Sequence, residues 1–442
     1  MARRIEDGIY RTHIQSRHAR GQRMRAFYFA SLIVALVALV ALFYNIVNQA
    51  AGLVATDYQV QPEEVLPEGV ALGDLTAEQS AALLVENAER QLLVITRDEL
   101  SQVPESDFTR LPLSEAIRGE VPEELREKTV TQLTPEEYAI ILSTNVSADA
   151  LREEVETQVL KPITQESWTL TESLFNRGEI ERTVEDEYPT ADLGWRVWVN
   201  PEFISDPLSS VPADTGIRPA ILGTLWLLLI TILVAFPLGL GAAIYLQEYA
   251  NDSLLNRIIE LNIRNLAGVP SIIYGMLGLA IFARALESIT QGRTILSAGL
   301  TMALLILPIM IISSQEALRA VPNSLREASY GLGATKWQTI SRQVLPAALP
   351  GILTGTILAM SRAIGETAPL IVVGAATFIN VDPEGPFARF TALPILIFNW
   401  TTQPNDQFRN AAAAGIIVLL VVLLAMNATA IYLRNRASRR TV

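Results

Sequence analysis

Six separate runs of apolar residues are the feature that most limits how this chain can fold. Each run has about 20 residues, and at a rise of about 1.5 Å per residue such a helix crosses a bilayer core of about 30 Å. Apolar side chains make up 50% of the 442 residues, but they are concentrated in these runs. The sequence therefore predicts an all-α membrane protein, with spans at 26–47, 217–246, 270–286, 295–313, 347–378 and 411–432.

The scarcity of some residue types excludes several kinds of site. The chain has no cysteine, which excludes disulfides, thiolate metal sites and cysteine nucleophiles. Its two histidines, His13 and His18, lie in the basic N-terminal segment, so a histidine-based metal or catalytic cluster is not expected. The string closest to a phosphate-binding G-x-x-x-x-G-K-[ST] loop, from Gly331 to Lys336, has the wrong spacing. We therefore expect neither a cofactor nor an enzyme activity in this chain.

Charge is divided very unequally along the chain. The formal net charge is −12, but residues 50–214 contain 34 acidic and 11 basic side chains, whereas the remainder contains 12 acidic and 23 basic ones. Basic residues collect on the cytoplasmic side of membrane proteins. We therefore expect the acidic segment and the basic segments to face different compartments.

Basic residues at both ends indicate the orientation. Segment 1–25 contains seven arginines before the first run, and segment 434–442 contains four after the last. This pattern predicts two cytoplasmic tails, with 26–48 as the first transmembrane helix. The alternative is a cleaved signal peptide, since small residues follow the first run, although this run is longer than an ordinary signal core.

Residues 49–216 form a predicted acidic, extracytoplasmic and mainly helical insertion. Thr76 with Gln79, and Thr134 with Glu137, have the spacing of capping boxes that open helices. The strings LTAEQSAALL and LTPEEYAIIL are alike. The similarity could reflect a duplicated helical unit or chance. An acidic domain does not attract anions, so a solvated spacer or a docking surface is favoured over a ligand sensor.

The remaining residues, 217–433, are predicted to contain five further spans. Pro237, Gly239 and Gly241 permit a kink or a close helix contact in the second span. The amphipathic segment 248–264 is placed at the cytoplasmic surface, and 379–409 is predicted to be an outer loop. Trp195, Trp198 and Phe203 are predicted to form an interfacial aromatic belt beside the membrane.

A short charged loop, 316–346, connects the fourth and fifth spans and is predicted to be cytoplasmic. It contains Arg319, Arg326, Lys336 and Arg342. Within it, 324–332 has the pattern of a short helix, capped by Asn323 or Ser324 and ended by Gly331 and Gly333. We call 316–346 the docking loop, because it would present a helix parallel to the membrane to a cytoplasmic partner.

Two charged residues, Arg362 and Glu366, interrupt the fifth predicted span. Counted from Pro350, Arg362 lies about 18 Å along a helix, near the bilayer midplane. A central arginine costs about 2.5–3.5 kcal/mol to insert, so it should face the bundle interior, a partner or water. Glu366, four residues further on, is expected to pair with it on the same helix face. Ser361 and Thr367 beside them are polar neighbours suited to helix contacts.

The docking loop resembles a known family. Glu327, Ala328, Ser329, Gly333 and the Leu345-Pro346 pair match the EAA loop of type I ABC-importer permeases, with a departure at Gln343, where an aliphatic residue is usual. The strings NLAGVPSIIYG, LREASYGLGATKWQTI and SRAIGETAPL are similar to those of phosphate-transport permeases of the PstA type.

The resemblance implies a MetI-like permease with six transmembrane helices in the bacterial inner membrane. Such a permease would be a subunit of an ATP-driven phosphate importer. The expected partners are a dimer of ATP-binding subunits, a second homologous permease subunit and an extracytoplasmic phosphate-binding protein, with no nucleic acid. By the same resemblance, the ATPase would dock on Arg326, Glu327, Ala328, Gly333 and Ala334. The residues themselves suggest that Arg362 and Glu366 line the substrate path, where the guanidinium would bind phosphate oxygens. The alternative is an ion pair within the membrane that only fixes helix packing.

Two alternatives remain open at this stage. A permease for sulfate, molybdate or phosphonate would use a guanidinium equally well, since these are also oxyanions. A membrane sensor or scaffold would use 49–216 as its receiving domain, but it would need a cytoplasmic output domain.

Overall fold

The structure, a computed structural model, describes residues 2–67, 69–375, 378–405 and 407–438, and their side chains outside 2–20, 105–106 and 437–438. The chain forms two compact units. Gly52–Arg196 is called the insertion unit. Met1–Ala51 together with Val197–Val442 is called the permease unit.

A three-stranded sheet in the insertion unit was not predicted from the sequence. Its strands are β1 (Ala51–Tyr58), β2 (Pro162–Ser167) and β3 (Asp192–Val197), in the order β2-β1-β3. β1 pairs with β2 antiparallel, with an irregularity between Ala55 and Thr56. On the central strand, Leu53 and Ala55 are buried against Ile180 and Val184. The expected mainly helical insertion is therefore helical with a small sheet.

Helices form the larger core of the insertion unit. Both predicted capping boxes are present: Thr76 and Gln79 exchange bonds at the start of Ala77–Asn87, and Thr134 and Glu137 do so at Pro135–Asn145. Leu84 and Leu142 are fully buried in one apolar cluster. The other helices and short helical turns are Pro62–Val65, Leu72–Asp74, Glu89–Gln91, Leu92–Leu100, Glu105–Phe108, Leu113–Ala116, Glu123–Leu125, Val130–Gln132, Ala148–Glu154, Val155–Leu160, Leu170–Phe175 and Arg177–Glu187.

The permease unit is a bundle of apolar helices. Within the described residues, five helical segments are long and apolar enough to cross a membrane, and a sixth is added if one bent pair counts as a span. The longer helices are α1 (Ala2–Gln49), α2 (Arg218–Ile244), α3 (Leu254–Ala267), α4 (Ser271–Gly278), α5 (Ile295–Arg319), α6 (Asn323–Gly331), α7 (Leu345–Gly365), α8 (Ala368–Val373), α9 (Leu393–Thr402) and α10 (Gln407–Ser438); Pro201–Ser205, Glu287–Thr290 and Lys336–Thr339 are shorter.

Several helices of this bundle continue as π-helical turns. These turns, with one extra residue per turn, follow α2 and α4 and precede α7; they are Tyr245–Tyr249, Leu279–Ala285 and Ile340–Val344. The bent pair consists of α3 and the segment Ser271–Ala285, whose axes differ by 103°. Pro270 lies at this break, and a proline interrupts a helix because it has no backbone N–H to donate.

Small residues bring the long helices close together. A Cβ atom on Gly299 of α5 would lie 2.6 Å from Ile230 of α2, and one on Gly239 of α2 would lie 2.8 Å from Met310 of α5. Such close approach is how membrane helices gain packing energy without a hydrophobic driving force. The close contact predicted for Gly239 is thus present, whereas Gly241 has no neighbour within 4 Å.

Two predictions about the segments flanking the bundle were wrong. Segment 379–409 is not simply a loop, because it contains α9, whose Leu393, Ile395 and Trp400 are buried. Trp198 and Phe203 are buried in the permease unit, and the Phe203 ring lies 6.0 Å from that of Trp400, so they do not form an exposed belt. Trp195 is exposed on β3.

Candidate functional site: the membrane ion pair and the docking loop

The fifth predicted span is broken just after the arginine. α7 ends at Gly365, and Glu366 has an extended backbone with φ −81° and ψ 115°. The reason is Pro369, which has no N–H to donate and whose ring would collide with the carbonyl four residues earlier. A continuous helix through residue 378 is therefore wrong. Arg362 lies in the last turn of α7, and Glu366 is not on the same helical face but caps the helix end.

Arg362 and Glu366 nevertheless form an ion pair, called the membrane ion pair below. Nε of Arg362 donates to Oε1 of Glu366 at 3.2 Å. The arginine side chain is 45% exposed and the glutamate 19%. Among the residues that the structure describes, no other hydrogen bond of this guanidinium is found.

The neighbours of the membrane ion pair hold the surrounding helices together. The Ser361 hydroxyl donates to Oδ1 of Asn427 on α10 at 2.9 Å, as a helix-to-helix contact. The buried Tyr274 of α4 donates its hydroxyl to the Leu266 carbonyl at 2.7 Å, across the break after α3. Tyr274 is therefore a packing residue, and Ser361 joins α7 to α10.

The docking loop contains the predicted short helix, shifted by one residue. α6 begins at Asn323 rather than Ser324, and its N-cap is Pro322, which makes no side-chain cap bond. The predicted Asn323 cap is absent because Oδ1 of Asn323 accepts from Nη1 of Arg326 at 3.3 Å instead. The predicted glycine ending is present: Gly333 has φ +81°, a conformation that glycine adopts without strain.

Hydrogen bonds at this ending fix the loop geometry. The Ala334 amide donates to the Ser329 carbonyl at 3.2 Å and the Gly333 amide to the Tyr330 carbonyl at 2.9 Å, the Schellman pattern of a helix C-terminus. Thr335 then opens the next helix with a capping box to Gln338. Glu327 and Ala328 are exposed, Gly333 is exposed and Ala334 is half-buried. These four residues lie where a partner can reach them.

Arg326, the fifth predicted docking residue, is instead directed inward. Its Nη2 lies 2.7 Å from Oε1 of Glu248, just beyond α2, and the two side chains are only 14% and 6% exposed. Sequence reasoning missed Glu248, since 78 residues separate it from Arg326. The available signal was a single acid directly after an apolar run, in the string YLQEYA.

Comparisons with known proteins agree on one family. Residues 235–439 match the family described as binding-protein-dependent transport system inner membrane component. The phosphate transport system permease protein PstA 1 of Mycobacterium tuberculosis (strain H37Rv) is 36% identical over 226 residues, covering 51% of this chain and 71% of that protein. PstA of Yersinia pestis is 36% identical over 216 residues, covering 49% of this chain and 71% of that protein.

Other relatives extend the comparison. The probable ABC transporter permease protein YqgI of Bacillus subtilis is 33% identical over 244 residues, covering 52% of this chain and 82% of that protein. Among solved structures, the inward-facing methionine ABC transporter MetNI matches with a TM-score of 0.39 and 19% identity, over 51% of this chain and 97% of that one. From the identity and coverage of its sequence relatives, the chain belongs to the binding-protein-dependent transport system inner membrane components, as a PstA-type permease.

Proposed function

We propose that this chain is the permease subunit of an ATP-driven phosphate importer. The observation that carries the proposal is 36% identity to proteins named phosphate transport system permease, over 71% of their length. As an inner membrane component with at least five long apolar helices, the chain is a multi-pass membrane protein. ATP hydrolysis would be performed by separate subunits, because this sequence has no phosphate-binding loop.

The proposed topology has six spans with both termini in the cytoplasm. It treats the bent pair as one amphipathic surface helix followed by a short span, because α3 has no buried residue in the described chain. Arginines in segments 1–25 and 434–442 would hold the two ends inside. Residues 49–216 would then be extracytoplasmic, as a spacer or a docking surface for a partner.

Arg362 is proposed as a phosphate contact on the translocation path. A guanidinium offers planar, paired N–H donors that match two oxygens of a phosphate. In the structure, Nε of Arg362 donates to Glu366, while the arginine side chain remains 45% exposed on an apolar helix. The carboxylate therefore balances the positive charge, and the other N–H donors remain available for phosphate. Glu366 would neutralise the arginine when the path is empty and accept a bond from a protonated phosphate hydroxyl.

The docking loop is proposed to bind the ATPase. Glu327, Ala328, Gly333 and Ala334 would contact the ATP-binding subunit, while Arg326 would hold the loop in place from within. Closure of the ATPase dimer would then move this loop and switch the bundle between outward-facing and inward-facing states. The complete transporter would also contain a second permease subunit and an extracytoplasmic binding protein.

The test is ATPase activity and anion uptake of the full chain, reconstituted in lipid with its candidate ATPase, second permease subunit and binding protein. Phosphate, sulfate and molybdate are compared at equal concentration. The proposal expects stimulation and uptake with phosphate. Stimulation by another anion alone would identify a different oxyanion permease. Failure of any ATPase to co-purify would refute the importer and favour a sensor or scaffold.

A further inference from the structure

Three basic residues of the docking loop contact three consecutive residues just beyond α2. Nη2 of Arg319 lies 3.3 Å from Oε1 of Gln247, and Nη2 of Arg326 lies 2.7 Å from Oε1 of Glu248. Nζ of Lys336 lies 5.1 Å from the centroid of the Tyr249 ring, within the range of a cation–π contact. The π-helical turn Tyr245–Tyr249 is thus where the docking loop meets the second apolar helix.

The central contact of the three, Arg326 with Glu248, is the most enclosed. Nε of Arg326 also lies 3.4 Å from the second carboxylate oxygen, so the fork faces both oxygens. The same guanidinium donates to the Leu318 carbonyl at 2.9 Å and to the Val321 carbonyl at 2.8 Å. It therefore joins the end of α5, the start of α6 and the end of α2 in one group.

Packing alone does not attach α6 to the rest of this chain. None of the residues of α6 is buried within the described chain, and Leu332 just after it is 90% exposed. The polar contacts of Arg326 are therefore a principal attachment of the helix to the bundle. Because α2 packs along α5 through Gly239 and Gly299, a displacement of its end is passed into the bundle.

We propose that Glu248 is a positioning residue for energy coupling: its ion pair with Arg326 transmits movement of α6 to α2. This inference rests on the proposed function, since it assumes that an ATPase moves the docking loop. Glu248 would contact neither ATPase nor substrate. Loss of its charge would leave the exposed face of α6 in place but allow the helix to move without moving α2.

The experiment compares Glu248→Gln with the wild-type chain in the complete reconstituted transporter. Asp252→Asn is the matched control, because Asp252 lies four positions after Glu248 but forms an exposed ion pair, with Arg257. The side chains of Asp252 and Arg257 are 76% and 71% exposed. Three quantities are measured: the amount of ATPase subunit that co-purifies, the rate of ATP hydrolysis, and the phosphate taken up per ATP hydrolysed.

The expected result is normal co-purification and a fall of about tenfold in uptake per ATP for Glu248→Gln, which lies in the usual range of coupling between linked sites. Asp252→Asn should match the wild type. An unchanged ratio in Glu248→Gln would overturn the proposal. Equal loss of ATPase binding and uptake would also overturn it, because the pair would then only shape the docking surface.

A cross-linking experiment guards against a folding defect. The chain has no cysteine, so Glu248→Cys with Arg326→Cys introduces the only two thiols of the permease. Joining them with a short bifunctional thiol reagent should restore uptake per ATP relative to the unlinked double variant, and failure to restore it contradicts the proposal. If the wild type transports another anion, the phosphate assignment fails, while the ratio for that anion still tests Glu248.

Discussion

The contact between α4 and α8, beside the membrane ion pair, gives a quantitative test of how the site is held. A Cβ atom on Gly275 would lie 2.7 Å from Cα of Pro369, 3.0 Å from its carbonyl oxygen and 3.1 Å from Cβ of Val372. Optimal carbon–carbon contacts lie at about 3.5–4.0 Å, and the first two neighbours are backbone atoms that cannot rotate away. The substitution Gly275→Ala must therefore displace α8, which begins at Ala368, two residues after Glu366.

The expected cost of this displacement is about 1–3 kcal/mol, the usual effect of overpacking. Replacing a helical glycine by alanine also contributes about 0.5–1 kcal/mol of stabilisation, because the unfolded chain loses freedom. Gly241→Ala is the matched control: Gly241 is helical and has no neighbour within 4 Å. Both variants share the entropic gain, so the difference between them isolates the close contact.

The assay is reversible unfolding of the purified chain in mixed detergent micelles, together with phosphate uptake after reconstitution. Gly275→Ala should be about 1–3 kcal/mol less stable than Gly241→Ala and should transport more slowly, because Glu366 is moved relative to Arg362. Equal stability of the two variants would refute the close packing of α4 on α8. Lower stability with unchanged uptake would refute the link between that packing and the ion pair.

Three further outcomes are expected. Burial raises the pKa of Glu154 above its ordinary 4.5, and the charges of Glu99 and Asp98 add to the effect, so the wild-type chain loses stability as pH rises from 4.5 through the raised value. Glu154→Gln should therefore slow amide exchange of Ala148–Glu154 at pH 7 but not at about pH 4. Equal exchange of variant and wild type at pH 7 would contradict this. Gly333→Ala should lower the free energy of unfolding of α6 by about 1–2 kcal/mol, because alanine is strained at a positive φ, and should speed amide exchange of that helix. Gly331→Ala, the control, should do neither. Ser361→Ala should lower the free energy of unfolding in micelles by about 0.6 kcal/mol, which is typical of one hydrogen bond between membrane helices.

Features encoded by local sequence were predictable. The two capping boxes of the insertion unit and the glycine ending of α6 depend on residues three or four positions apart, and all three are present. The end of α7 could also have been predicted, since Pro369 excludes a continuing helix. It was missed because the apolar run continues past the proline and hides the break.

Features that depend on distant residues were not predictable. β1 begins shortly after the first apolar run and gains its partners only from β2 and β3, both more than a hundred residues later, so hydropathy alone did not reveal a strand. Arg326 has the sequence context of an exposed docking residue, but its partner Glu248 precedes it by 78 residues. The site was thus located from the sequence, while the internal role of one of its arginines required the fold.

The most direct test of the account is ATP-dependent accumulation of radiolabelled phosphate in proteoliposomes containing the complete transporter, with wild-type chain, Arg362→Ala, Arg362→Lys and the exposed control Arg257→Ala. We predict that Arg362→Ala lowers accumulation by about tenfold to a hundredfold, because a charge-assisted hydrogen bond to phosphate is lost, while the ATPase still co-purifies. Arg362→Lys should recover only part, because it lacks the planar fork, and Arg257→Ala should match the wild type. Undiminished accumulation by Arg362→Ala would contradict the proposed role of the membrane ion pair.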